Sequence, residues 1–358
     1  MRRSDPLILG GGPAGSAAAI TLAAGGSRPL LLERQTETGD AICGGFLSWH
    51  SLAVLARLGL EDLRGAPVTR LRLISRHVAA EAALPRPALG ISRRQLDHAL
   101  LGRAEHQGAE VMRGVSVREA QGRSLRLADG SSIEAATVLL ATGKHDLRGL
   151  ARPRRDADPA LGLRVRLGPA AALKRLVDDA IELHLFDRGY AGLVLQEDGT
   201  GNLCLAVRKS RLAEAGGPAA LLAAIGAEVP ALGERLAHLP ADAGIDAIAA
   251  VPYGWRTAAT DDGLFRLGDQ CGVIPSLAGE GMGIALASGV AAAETVLAGG
   301  DAPAYQARFA ARTRRPIAIA RLILAAAERP PTAPMLVGLM RTAPGLATLL
   351  ARATRVAH

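Results

Sequence analysis

Two glycine-rich segments, far apart in the chain, constrain the fold more than any other feature. The first is Pro6-Leu7-Ile8-Leu9-Gly10-Gly11-Gly12-Pro13-Ala14-Gly15, running on to Ala19. The second is Leu264-Phe265-Arg266-Leu267-Gly268-Asp269, followed by Pro275 and then Gly279-Glu280-Gly281-Met282-Gly283. In each, an apolar run feeds a glycine turn and then a helix start. Leu7, Ile8 and Leu9 have the character of a buried parallel strand. Gly10, Gly12 and Gly15 give G-x-G-x-x-G, with Ala19 one helical turn later. Gly10 permits the tight turn, Gly12 lets backbone approach a pyrophosphate, and Gly15 with Ala19 lets the helix pack close to the sheet. That helix, from about Ala14 to Ala24, presents free N–H groups and its positive end to phosphate.

Arg28-Pro29-Leu30-Leu31-Leu32-Glu33-Arg34 reads as a second apolar strand ending in a carboxylate. Glu33 falls where an acidic residue gripping ribose hydroxyls belongs in a dinucleotide site. A glycine-rich loop without a ligand is the plainer alternative, but it does not explain strand, helix and Glu33 together. The two segments together describe one long, phosphate-containing cofactor held at both ends. Met1-Arg2-Arg3 ahead of an apolar stretch ending at Ser27 resembles a leader or anchor. Six glycines and Pro13 lie in that stretch, which makes it a poor spanning helix.

With 358 residues, one large domain or two intimate ones are expected. Aromatic residues are only 3%, so the core must be built from Leu, Ala, Val and Ile. The formal charge of +8 raises the question of nucleic acid. Lys144, Lys174 and Lys209 are the only lysines, and the arginines that make the excess are scattered without interleaved aromatics. That pattern argues against a nucleic-acid partner. Cys43, Cys204 and Cys271 are odd in number and widely spaced, so neither a disulfide framework nor a metal site is expected. A reducing, cytoplasmic setting fits them.

No internal repeat and no low-complexity linker interrupt the chain. A helix is expected after Ser48, with Leu52, Leu55 and Leu58 on one face and Gly59 as its stop. Further expectations are a strand over 68–75, a helix N-capped by Ser92, a strand over 109–117, a hairpin turning at Asp129-Gly130, and a buried strand over 136–143. Between 161 and 210, alternating segments predict a mostly antiparallel sheet with one wet face. Helical sequence over 211–239 and a strand over 246–251 follow, and Leu264 re-enters the first domain. Beyond Pro303 the chain reads as helices broken by Pro316, Pro330, Pro331, Pro334 and Pro344. Arg341, Arg352 and Arg355 among leucines there suggest either an amphipathic, membrane-surface helix or helices that cover the sheet. The fold class is therefore α/β. A Rossmann-like dinucleotide-binding domain (1–75, 90–160 and 258–300), which the resemblance given next makes an FAD-binding domain of glutathione-reductase type, is interleaved with a mostly antiparallel substrate-binding sheet (76–89 and 161–257). A C-terminal helical segment (301–358) completes it.

With Asp269 and Gly279–Gly283 included, the pattern resembles FAD-dependent oxidoreductases of the para-hydroxybenzoate hydroxylase and geranylgeranyl reductase superfamily, over about residues 5–295. The resemblance implies pyrophosphate on Gly12, Pro13, Ala14 and Gly15, and Arg93 reaching toward the phosphates. It makes Leu139-Leu140-Ala141-Thr142-Gly143 an A-T-G strand. Gly268 and Asp269 lie on the ribityl or pyrophosphate side, and Gly279, Gly281, Met282 and Gly283 open a helix facing the flavin N1–C2=O edge. Arg34 and Val117 complete the cofactor set. Cys43-Gly44-Gly45 resembles the stretch that borders flavin and substrate in the geranylgeranyl reductase branch. Cys43 is either a thiol tuning flavin or substrate, or a small packing residue. His50 and Tyr253 are further catalytic candidates.

The Y-x-W-x-F-P element of geranylgeranyl reductases is replaced by Gly189-Tyr190-Ala191-Gly192-Leu193-Val194-Leu195. The W-x-W-x-I-P element of flavin-dependent halogenases is absent, and Lys144-His145-Asp146 stands where many hydroxylases have Asp-Gly. The whole most resembles flavoproteins associated with bacterial type III polyketide synthases. The resemblance implies a monooxygenase that hydroxylates a phenolic or polyketide-type lipophilic substrate with O2, through a flavin C4a-hydroperoxide. The alternative is a reductase or dehydrogenase acting on C–C bonds of a prenyl or acyl lipid. No second G-x-G-x-x-G follows a strand, so NAD(P)H is expected as a transient donor without a domain of its own. Leu163, Val165, Phe186, Leu195 and Val251 are the candidate lining of the substrate cavity.

Overall fold

The strand Leu7–Leu9 is central in a five-stranded, wholly parallel sheet, as its unbroken apolar run requires. The order is Leu264–Arg266, Val138–Leu140, Leu7–Leu9, Leu30–Glu33 and Glu110–Arg113. Strand alternation divides the side chains between two layers. Ile8, Leu31, Leu139 and Phe265 face a helical layer, while Leu7, Leu9, Leu30, Leu32, Val138, Leu140 and Leu264 pack on a small four-stranded sheet. The computed structural model describes residues 2–3, 5–121, 123–153 and 156–356. Met1, where the leader-like pattern begins, Ser4, Gly122, Arg154, Arg155, Ala357 and His358 lie outside them.

The helical layer depends on close approach. The first helix, Pro13–Ala24, buries Ala17, Ala18 and Ala19 completely and packs against Gly281–Leu297 and Arg93–Gln107. Gly10 has φ +104°, a conformation that side chains disfavour, and it turns the strand into the helix. A Cβ on Gly15 would lie 1.9 Å from the Gly10 carbonyl oxygen, so the turn and the helix can meet only through glycine. The expected helices after Ser48 and Ser92 are Trp49–Arg57 and Arg93–Gln107, and each serine hydroxyl accepts a hydrogen bond from a first-turn N–H. The strand expected over 109–117 divides instead into Glu110–Arg113 and Val117–Gln121. Gly114, at φ +76°, turns the chain from the parallel sheet into the small one.

The second unit is an eight-stranded sheet. Its order is Asp246–Val251, Ala160–Leu167, Gly201–Arg208, Gly189–Leu195, Ala180–Phe186, Ala66–Ser75, Val78–Gly90 and Phe46–Leu47. Only Ala180–Phe186 against Ala66–Ser75 is parallel. The boundary expected at residue 75 falls inside the hairpin 66–90, both of whose strands belong to this sheet. The expected wet face is a correction, since the central strands are buried on both sides. One face is covered by the helices between 171 and 236, through a core of Val165, Leu173, Phe186, Leu195, Leu221 and Ile225. The other looks toward the cofactor half and the C-terminal helices.

Pro316 does not break its helix, which runs from Ala302 to Ala327 with Pro316 buried inside it. After it, Ala333–Thr342 and Pro344–Ala353 pack on the hairpin 66–90, with Val337 and Met340 against Ala80 and Ala82. These helices cover the sheet, and they also leave Leu322, Met335, Leu339 and Leu349 exposed. Among the described residues no single helix is long and apolar enough to cross a membrane. Arg355 is not part of an amphipathic face. The last helix stops at Ala353, and the chain then turns inward and buries the Arg355 side chain.

Candidate functional site: a cavity between the two sheets

A cavity of about 750 Å³ runs from Glu33 and Val117, past the glycine turn, to Gly281 and Tyr253. At its first end the N-terminus of helix Pro13–Ala24 is open, because Gly12 has no side chain to cap it. Arg93 comes to the same place from Arg93–Gln107, and a Cβ on Gly12 would lie 3.3 Å from its Nη2. Asp97 fixes the guanidinium in a fork, accepting from Nε at 2.9 Å and from Nη2 at 2.7 Å. Burial disfavours the charge on Arg93, but the Asp97 carboxylate outweighs burial and the pKa is raised. A half-buried, permanent cation beside an uncapped helix start suits an anion. Glu33, at the end of Leu30–Glu33, accepts from the Gly11 N–H at 2.7 Å, which ties the carboxylate to the glycine turn.

The middle of the cavity is built from two loops. Thr142 donates to the His145 carbonyl at 2.7 Å, and Gln270 donates to the carbonyls of Gly143 and His145. Arg152 is buried and joins the loops. Its Nε donates to Asp146 at 2.7 Å, Nη2 to the Lys144 carbonyl at 2.8 Å, and Nη1 to the Asp269 carbonyl at 2.9 Å. Arg34 contacts His145 Nε2 at 2.8 Å. Burial first, and then Arg34, Lys144 and Arg152, lower the His145 pKa, so the ring is neutral near pH 7. The Gly268 N–H donates to Ser288 at 2.8 Å, anchoring this turn to the helix Gly281–Leu297.

Of the expected cofactor residues, Gly10, Gly12, Pro13, Ala14, Glu33, Arg34, Arg93, Val117, Thr142, Gly143, Gly268, Asp269, Gly279, Gly281 and Met282 line the cavity. Gly15 and Gly283 stand behind it, where they permit packing. Cys43 and Tyr253 line it too. His50 does not: it lies beside Trp49 and near Arg355, behind the Gly279–Gly283 loop. Burial, then Arg355 and Arg86, lower its pKa. Val251 is a lining residue as expected; Leu163 borders the cavity, but its side chain belongs with Val165 to the core on the helix side. Val165, Phe186 and Leu195 face the opposite side of the sheet, in the core with helices 171–236.

The far lobe of the cavity is apolar, with Ile181, Leu183, Ala206, Ile248 and Val251 among its walls. Three hydroxyls interrupt it. Tyr253 and Ser276 are 2.8 Å apart, and the Tyr190 hydroxyl lies next to them with no hydrogen-bond partner of its own among the described residues. Burial raises the Tyr253 pKa to about 12 and that of Tyr190 well above the ordinary phenol value. Both phenols are therefore donors at neutral pH.

The loop carrying Cys43 forms one wall. It is held by Arg164, which donates to the carbonyls of Asp40 (2.7 Å) and Ala41 (2.9 Å), and by Asn202, which donates to the Cys43 carbonyl at 2.9 Å. Cys204 donates its thiol hydrogen to the same carbonyl at 2.9 Å, and burial pushes its pKa up to about 12. Sequence reasoning did not select Tyr190, Ser276, Arg152, Arg164 or Cys204. Arg164 could have been found from strand alternation, since a charged residue on an inner position of Ala160–Leu167 needs a partner.

The residues fit FAD on the geometry alone: an open helix start with a half-buried arginine for the diphosphate, a carboxylate beside the first turn, and a second helix start at the other end of one continuous cavity. Comparisons with known proteins agree. Residues 3–146 match the FAD binding domain family. Protein FixC of Shigella flexneri is 28% identical over 82% of this chain and 76% of its own length. The menaquinone reductase of Mycolicibacterium smegmatis is 27% identical over 83% and 77%. Among solved structures, PqsL of Pseudomonas aeruginosa, a probable FAD-dependent monooxygenase, superposes with TM-score 0.71 at 16% identity, covering 94% of this chain and 99% of PqsL. A geranylgeranyl bacteriochlorophyll reductase-like protein of Thermoplasma acidophilum gives 0.72 at 18%, covering 99% and 97%. The chain is an FAD-dependent oxidoreductase; it is similar to the para-hydroxybenzoate hydroxylase and geranylgeranyl reductase superfamily in the FAD binding domain over residues 3–146 and in fold over nearly its whole length.

Proposed function

We propose that the protein is a monooxygenase that hydroxylates a phenolic or polyketide-type lipophilic substrate. One observation carries this reading: an apolar stretch of wall next to the expected flavin end, Ile181, Leu183, Ala206 and Val251, beside which the hydroxyls of Tyr190, Tyr253 and Ser276 converge. A ligand pocket of this kind takes an apolar body and orients it by a few convergent polar groups. Bound FAD supplies the redox chemistry, passing electrons from a donor to O2.

The chain's own residues do the rest. Arg93 and the start of Pro13–Ala24 bind the diphosphate, and the Gly281 end receives the ring. Ile181, Leu183, Ile248 and Val251 exclude water, which protects reactive oxygen species from wasteful decay. Tyr190 and Tyr253, protonated at neutral pH, donate to a substrate phenol or ketone oxygen and so fix which carbon faces the ring. NAD(P)H is the proposed donor, bound transiently at the surface.

The C-terminal helices support delivery of such a substrate from a membrane surface. Leu324, Ala327 and Ala333 share one apolar cluster with Leu183, Tyr190 and Ala206 of the cavity wall. Met335 and Leu349, on the adjoining helices, are 68% and 61% exposed, with Arg341 and Arg352 also exposed on them. An apolar strip flanked by arginines suits an anionic lipid surface.

The test follows NADPH and O2 consumption against a panel of phenolic lipids. The reading expects a hydroxylated product with one NADPH and one O2 per turnover and little free peroxide. Full turnover under strict anaerobiosis would overturn it and favour the second reading, reduction of a C–C bond in a prenyl or acyl lipid. The observation behind that alternative is the Cys43-Gly44-Gly45 loop, which forms a wall of this same cavity.

A further inference from the structure

Glu280 stands at the start of the helix Gly281–Leu297, behind the ring end of the cavity. Gly279, Gly281 and Met282 line that end, whereas the Glu280 side chain is wholly buried on the other side of the loop. The carboxylate folds back over the first helical turn: a Cβ on Gly283 would lie 2.5 Å from Glu280 Oε1. A buried carboxylate needs a partner: burial raises the pKa of this carboxyl above the ordinary glutamate value, and Arg355 first, then Val356 and Ser48, offset that in part. The partner comes from the far end of the chain. Arg355 Nη1 donates to Glu280 Oε2 at 2.6 Å and to the carbonyls of Ala278 and Gly279 at 3.0 Å each. The Val356 N–H donates to Oε1 at 3.2 Å, and Ser48 Oγ to Oε2 at 3.3 Å. The Arg355 guanidinium also lies 4.9 Å from the centre of the Trp49 ring. Val356 is fully buried in the main core.

We propose that Arg355 is a positioning residue for the flavin: by pairing with Glu280 it fastens the Gly279–Gly283 loop from behind and cancels the carboxylate's charge there. The inference rests on the FAD reading, with the ring at Gly281. A helix N-terminus carries roughly half a positive charge, which favours the anionic, reduced ring. A naked carboxylate at the same place would outweigh that field. Neutralised by Arg355, it leaves the N–H groups as the net influence on the ring. The segment after the last helix thus takes part in setting the redox balance, although it never enters the cavity.

The experiment is the midpoint potential of bound FAD in Glu280→Gln, Arg355→Met and the double variant. Glu280→Gln removes the negative charge and should raise the potential. Arg355→Met leaves the carboxyl without its counter-charge and, measured at alkaline pH where it stays ionised, should lower the potential. Each shift should correspond to about a tenfold change in preference for reduced over oxidised flavin, about 30 mV for a two-electron couple. The double variant should return close to the parent. A merely structural latch would move both single variants the same way, and that result, or two unmoved potentials with flavin bound, overturns the proposal. Should Arg355→Met fail to fold, Glu280→Gln keeps every donor and decides alone: a raised potential supports the pairing, and an unchanged or lowered one rejects it. A parent protein that takes up no flavin would overturn the FAD reading itself, an outcome distinct from all of these.

Discussion

The two halves of the cavity are made differently. The cofactor half is built from backbone: glycine turns, helix starts and short buried strands, with Arg93 and Glu33 as its charged additions. The substrate half is built from side chains on alternate positions of a large sheet. Backbone sites demand particular residues at fixed spacing, because only glycine satisfies a contact such as the 1.9 Å approach at Gly15. Side-chain sites demand only that something of the right character faces inward, so many sequences can build them.

The sharpest way to test this contrast is to damage one half and leave the other standing. Gly15→Val should abolish flavin retention, with at least a hundredfold loss of affinity read from flavin absorbance. The eight-stranded sheet, which does not contact Gly15, should keep its secondary structure by circular dichroism. Equal collapse of both halves would show that they are not separable.

The next largest effect concerns stability within the substrate half. Glu182 is buried beneath the sheet, held by His184, Arg235 and Arg72. Burial opposes its charge, but these partners outweigh burial and hold the carboxyl at about 2, against 4.5 for an ordinary glutamate. A depressed pKa contributes stability that is present above pH 4.5 and is lost as pH falls toward 2. The amount is on the order of 3 kcal/mol. Glu182→Gln should lower stability at pH 7 and flatten the acid side of the denaturation curve over that window. An acid limb as steep as the parent's would remove Glu182 from the account.

Smaller still is the effect of one hydroxyl. Tyr253→Phe should cost ten- to a hundredfold in kcat/KM, about 1.4–2.8 kcal/mol, while FAD affinity stays within twofold. A loss of FAD binding instead would place Tyr253 in the cofactor half. The smallest change is on the outer surface. Leu349→Glu should reduce binding to anionic vesicles several-fold and shift stability by less than about 0.5 kcal/mol, since the side chain is 61% exposed. Unchanged vesicle binding would argue against membrane delivery.

The same contrast explains what could be read from sequence. All six of Gly10, Gly12, Glu33, Arg93, Asp269 and Gly281 line the cavity; Gly10, Gly12 and Glu33 were legible from the tight turn and spacing that a dinucleotide demands, and Arg93, Asp269 and Gly281 from the family resemblance. Leu163 and Val165 sit two apart on one strand and share its helix-packed face, whereas the alternate residues Gly162 and Arg164 border the cavity. Both faces of that sheet are buried, so alternation of apolar and polar residues carried no information about which face was inward. Tyr190 stood out in the sequence only as a mismatch to a family element. It became a site residue once cross-strand register placed it opposite Ala206 and its hydroxyl next to Tyr253 and Ser276. His50 and Arg355 show the limit of proximity in sequence. Both lie behind the Gly279–Gly283 loop, where contacts 75 or more residues apart in the chain decide their roles.

The central claim is that one FAD is gripped at two distant points, its diphosphate at Gly12 and its ring at Gly281. Titration of the apoprotein with FAD and with FMN tests this directly, because FMN keeps the ring but lacks the adenylate half. The account predicts one FAD per chain and at least a hundredfold weaker FMN. Equal affinity for the two would contradict it.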